Sequence, residues 1–73
     1  MTATKLPETT YELTFYDRDG EEDSVQQYTD EQTGREVLSL FDEPDSEEMY
    51  SRITLTAYDW NAKESRVLAE LTF

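Results

Sequence analysis

The amino-acid pattern predicts an α+β fold, β-β-α-β-β in chain order, with a four-stranded, mainly antiparallel sheet and one helix packed on one face. Three observations predict it. Residues 52–73 read as a β-hairpin, with Ile53, Leu55 and Ala57 alternating on one arm and Val67, Ala69, Leu71 and Phe73 on the other. Tyr11, Leu13 and Phe15 alternate in the same way upstream, and Val37, Leu38 and Phe41 form one helical stripe between the two strand regions. A lone hairpin is marginal in water, so the upstream segments are expected to cover the apolar face of residues 52–73.

Taken in order, residues 1–9 are polar, contain Pro7 and lack periodicity, which predicts a flexible arm ahead of a single domain over residues 10–73. The first strand follows, with Glu12, Thr14 and Tyr16 on the face opposite Tyr11, Leu13 and Phe15. Asp19-Gly20 suits the positive φ angles of a tight turn. Residues 24–28 are the returning strand, weakly marked because Val25 and Tyr28 have opposite parity and cannot both face a core without a bulge.

Thr29-Asp-Glu-Gln32 fits a capping box, and Thr33-Gly-Arg-Glu36 allows a start one turn later, with Gly34 costing about 1 kcal/mol inside a helix. Pro44 ends the helix near Asp42 or Glu43, and Pro44-Asp45-Ser46 reads as a turn that leads through a further helical turn to Met49. Met49 and Tyr50 are expected to fold over the rim of the core. The last hairpin turns near residues 59–64, where Asn61 is the side chain best suited to a left-handed conformation.

Composition narrows the function classes. The chain has 73 residues, 18 acidic against 6 basic, and a formal net charge of −12. That charge makes direct binding to nucleic acid or an anionic membrane unfavourable and points to a cationic partner. It has three explanations: a solvated acidic surface, carboxylates presented where a nucleic-acid-binding protein expects phosphates, or adaptation to high salt. Cysteine and histidine are both absent, which removes disulfides, thiolate sites, the commonest metal ligand and the commonest general base. No membrane span or signal-peptide core is evident, so a cytoplasmic protein is the expectation.

Two acidic runs could carry chemistry. In the first, Asp17, Asp19 and Glu21, with Glu22 and Asp23 behind them, are weak candidates for a hard cation such as calcium. Their spacing departs from an EF-hand loop, since Gly20 comes too early and Tyr28 stands where a bidentate acid is needed, so no metal site and no cofactor is assigned. The second run is Asp42, Glu43, Asp45, Glu47 and Glu48, whose mutual repulsion favours exposure or a basic partner. Catalysis is not expected: Ser24, Ser39, Ser46, Ser51 and Ser65 have no histidine to activate them, no glycine-rich phosphate loop exists, and so short a chain has little room for a pocket that separates two carboxylate pKa values.

The remaining candidates are aromatic. If Ile53, Leu55 and Ala57 face inward, then Arg52, Thr54, Thr56, Tyr58 and Trp60 face outward, together with Tyr16, Arg66, Leu68, Glu70 and Thr72. Tyr16, Tyr58, Trp60 and Leu68 would then form a patch rimmed by charge, suited to protein contact or self-association, although cross-strand aromatic pairs also serve simply to stabilise a sheet. The expectation is a non-catalytic interaction module whose partner is a protein with a basic surface. The alternative is a nucleic-acid mimic that inhibits a DNA- or RNA-binding enzyme, as a mobile-element inhibitor would, and a divalent-cation-binding regulator comes third.

Overall fold

A computed structural model describes residues 8–73 as a four-stranded antiparallel sheet with one α-helix and one 3-10 helix. In chain order the elements are β1 (Thr9–Asp17), β2 (Glu22–Tyr28), α1 (Glu31–Leu40), a 3-10 helix (Pro44–Glu48), β3 (Tyr50–Asp59) and β4 (Glu64–Thr72). The sheet order is β2-β1-β3-β4, so the two strands that carry the buried core residues Leu13, Phe15, Ile53, Leu55 and Ala57 lie at the centre. Most of the arm expected over residues 1–9 lies outside the described residues. Thr9 is already in β1 opposite Asp59, and the Glu8 carbonyl accepts from the Trp60 backbone N–H at 2.8 Å.

Register explains the core. Leu13 sits opposite Leu55 and Phe15 opposite Ile53, and these four side chains are the largest fully buried ones among the described residues. Each contributes about 1.5–3 kcal/mol by leaving water. Leu38 of α1 closes over them, with Tyr11, Val37, Phe41, Tyr50, Ala69, Leu71 and Phe73 around the rim. At one end Phe15, Phe41 and Tyr50 form a three-ring cluster, with centroids 5.0 Å apart for Phe15–Phe41 and 5.3 Å for Phe15–Tyr50. Tyr50 thus covers the core as expected, whereas Met49 is 62% exposed and does not.

The helix begins one residue later than the Thr29 capping box implies. Asp30 is the N-cap, and its Oδ2 accepts from both the backbone N–H and the hydroxyl of Thr33, each at 2.9 Å. Asp30 has the extended backbone of an N-cap, with φ −127° and ψ 127°, and its carboxylate takes the free Thr33 amide, so Thr29 stays outside the helix. Gly34 lies inside α1 and is buried, because a Cβ there would stand 3.0 Å from Leu55 Cδ1. The missing side chain lets the helix sit close on the sheet.

β2 does form, and the parity conflict within it is resolved by function of face. Val25 lies opposite Thr14 on the face away from α1 and is 44% exposed, while Tyr28 lies opposite Tyr11 and packs against the core. A register shift between Phe15 and Tyr16 leaves Asp23 as the extra residue of a bulge. The turn before it is closed by the Gly20 N–H on the Asp17 carbonyl at 3.0 Å, and Gly20 alone supplies the positive φ, at 84°.

Two expectations for the last hairpin are corrected. Leu55 pairs with Ala69 but Thr56 pairs with Val67, so a bulge at Leu68 reverses the parity of β4 below it. Val67 therefore leaves the core and is 59% exposed, Arg66 moves to the helix side opposite Ala57, and Leu68 is half-buried against the core cluster. The left-handed residue of the turn is Lys63, with φ 54°, and not Asn61. Asp59 Oδ1 accepts from the backbone N–H groups of Asn61 and Ala62 at 2.9 and 3.1 Å, which holds those residues in the first half of the turn and leaves the reversal to Lys63.

Lys63→Gly is expected to raise the unfolding free energy by about 1 kcal/mol, because glycine takes a positive φ without strain, whereas Asn61→Gly lowers it. Denaturant unfolding of both variants measures the difference. Gly34→Ala is expected to lose about 1 kcal/mol or more in the same assay despite the better helix propensity of alanine, since Leu55 is fully buried and has no room to yield.

Candidate functional site

The face of the sheet that α1 leaves uncovered is built in cross-strand rows. Tyr16, Arg52 and Thr72 form one row; Val25, Thr14, Thr54 and Glu70 the next; Gln27, Glu12, Thr56 and Val67 the third; Thr10, Tyr58 and Ser65 the last. Thr14 and Thr54 are buried without any helix above them, because short threonine side chains sit among taller neighbours in the central strands. The face is thus a threonine floor with aromatic groups at its two ends.

Those ends hold different chemistry. At one, the Arg52 guanidinium lies 4.2 Å from the centroid of the Tyr16 ring. At the other, the Tyr58 and Trp60 rings pack with centroids 4.4 Å apart. Tyr16 pairs with Arg52 and Thr10 with Tyr58, so six residues of strand, about 20 Å, separate Tyr16 from Tyr58. The four side chains expected to make one patch are therefore not brought together: Tyr58 and Trp60 meet, Tyr16 stands at the far end, and Leu68 packs toward the core.

Trp60 is 51% exposed but is tied down at both of its nitrogens. Its indole Nε1 donates to Thr10 Oγ1 at 2.9 Å and its backbone N–H to the Glu8 carbonyl at 2.8 Å. Thr10 Oγ1 also accepts from Gln27 Nε2 at 3.4 Å. The clasp joins the start of β1 to the end of β3, and only the ring face of Trp60 is left for a partner.

The two acidic runs, distant in sequence, converge at the Tyr16 end. Arg18 Nη1, in the β1–β2 turn, donates to the Glu47 carbonyl of the 3-10 helix at 2.6 Å, and Asp17 pairs with Tyr50 where β3 begins. Asp42, Glu43, Asp45, Glu47 and Glu48 are all exposed beside the turn that carries Asp19, Glu21, Glu22 and Asp23. Phe41 and Tyr50, which flank the 3-10 helix in the chain, pack with Phe15 in the three-ring cluster and so anchor the chain on both sides of it. Arg18 was not singled out by sequence reasoning; its signal was a lone cation inside an acidic turn.

Of the cation candidates, Asp17 already serves the turn: its Oδ1 accepts from the N–H groups of Asp19 and Glu21 at 2.9 and 3.0 Å. Among the described residues no group of three acidic side chains is arranged to hold a metal ion. A polar groove of about 370 Å³ opens on the helix side, lined in part by Thr9, Tyr11, Glu31, Ala57, Asp59 and Arg66. Two of its three acids are engaged, Glu31 with Arg35 at 2.8 Å and Asp59 with the turn amides, and the third is Glu64. No described helix is long and apolar enough to cross a membrane.

Trp60→Phe is expected to cost about 1 kcal/mol by removing the indole donor, and Thr10→Val a similar amount. In a double-mutant cycle the pair costs less than the sum of the two, which separates the hydrogen bond from ring packing.

Compared with protein-family models, curated proteins and solved structures, the chain matches none of them.

Proposed function

We propose that the chain is a non-catalytic interaction module that presents its acidic pole, formed by the β1–β2 turn and the segment over residues 42–48, to a protein partner with a basic surface. The observation that carries this reading is the clasp between Arg18 and Glu47, which joins two acidic runs 29 residues apart. Neighbouring carboxylates repel, so a fold that gathers them on one rigid end has a surface whose charge is offset best by a cationic partner. Tyr16, stacked with Arg52, borders that pole on the sheet, and Tyr58 with Trp60 offers a separate apolar contact at the other end.

A sharper form of the same reading is a nucleic-acid mimic that occupies the cationic groove of a DNA- or RNA-binding enzyme. It is favoured by the carriage of the carboxylates on a hydrogen-bonded turn and a 3-10 helix, where their spacing is held, and not on a loose tail. Direct contact of this chain with nucleic acid or an anionic membrane is disfavoured by its charge of −12.

Affinity capture from a lysate over a salt series tests both forms. The expected result is a partner lost steeply as salt rises and lost roughly tenfold when Asp42, Glu43, Asp45, Glu47 and Glu48 are changed to their amides. Displacement of that partner by excess duplex DNA identifies mimicry. Capture that depends on Trp60 and ignores both salt and the amide changes would overturn the acidic-pole reading.

A further inference from the structure

We propose that β2 is a docking edge, at which an extended cationic peptide segment of a partner adds to the sheet as a fifth strand. The inference rests on the reading above that the partner is basic, and it specifies how that partner engages. Strand addition draws its affinity from main-chain hydrogen bonds along an open edge and its specificity from alternate side chains and charge.

The sheet order leaves two edges, β2 and β4, and they are unequally guarded. β4 is interrupted in its middle by the bulge at Leu68, which breaks the run of edge groups that any added strand needs, and its Glu64 and Glu70 are offset by Arg66 and the neighbouring Lys63. In β2 the bulge lies near the start, at Asp23, and beyond it the pairing with β1 runs without a break from Ser24 opposite Phe15 to Tyr28 opposite Tyr11. Residues 24–27 are exposed and include no lysine, no proline and no charge, the usual means by which an edge is kept from pairing. No described element pairs with the outer side of β2.

Charge supplies the direction. Glu22 and Asp23 open the strand, with Asp19 and Glu21 immediately before them, and all are exposed. At the other end Asp30 caps the helix, whose positive end offsets its charge, and Glu31 pairs with Arg35, so negative charge is densest at the start of β2. A peptide that pairs with residues 24–28 therefore places its lysines or arginines opposite Glu22 and Asp23. A second copy of this chain is a poorer occupant, because it brings another −12 to the same edge.

The test uses the full chain, isotopically labelled, and two synthetic nine-residue peptides of alternating threonine and valine, one ending in three lysines and one in three glutamates. Backbone NMR shifts and amide exchange report where each binds. The expected result is saturable shifts centred on residues 22–28, new exchange protection at alternate amides of β2, and binding of the lysine peptide roughly tenfold tighter than its twin. Glu22→Lys with Asp23→Lys, both fully on the surface, is expected to reverse that preference while the rest of the spectrum is unchanged. Shifts confined to residues 17–21 and 42–48, without new protection in β2, would overturn the edge and leave the acidic pole as the contact. No binding of the lysine peptide would also overturn the edge, while the capture experiment judges the acidic pole independently. Concentration-dependent dimerisation that protects the same amides without peptide would assign the edge to a second copy.

Discussion

Leu13 against Leu55 and Phe15 against Ile53 are the contacts on which the other parts of this molecule depend. A chain of 73 residues can bury one thin apolar layer, and here that layer is the helix-side face of the two central strands. Gly34 lets α1 approach Leu55, Leu38 closes the layer, and Phe41 at the end of the helix completes the ring cluster with Phe15 and Tyr50. That cluster anchors the chain on both sides of the 3-10 segment. The position of the second acidic run is therefore a consequence of packing in the core.

Electrostatics works against that arrangement. Gathering the acidic turn and the acidic 3-10 segment at one end raises the repulsion between them, and Arg18 is the side chain that bridges the gap. Its bond is to a backbone carbonyl and not to a carboxylate, so the acids around it remain on the surface. Screening by salt relieves the same repulsion, which links the stability of this end to ionic strength as well as to a basic partner.

The two faces of the sheet solve different problems. The helix side excludes water with large apolar groups, while the other side is kept in order by threonine rows, the Tyr16–Arg52 stack and the Trp60 clasp. Bulges near Asp23 and at Leu68 adjust the two outer strands to this division. By turning Val67 outward and drawing Leu68 toward the core, the second bulge places an aliphatic side chain on the uncovered face and separates Leu68 from the aromatic pairs.

Element type and order were legible in the residues themselves, because alternation in Tyr11, Leu13 and Phe15, the stripe of Val37, Leu38 and Phe41, and the glycine of Asp19-Gly20 are local signals. The candidate site was legible only in composition: the acidic runs and the aromatic residues could be named but not placed. Whether Asp30 or Thr29 caps α1, and whether Lys63 or Asn61 turns left-handed, depended on competing hydrogen bonds that residue preference does not rank. The parity of β4 changed at Leu68 because a bulge is a backbone event with no residue type of its own. Tertiary structure alone decided that Tyr16 stands far from Tyr58 and that residues 17–23 meet residues 42–48, since both follow from strand register, which couples segments distant in the chain.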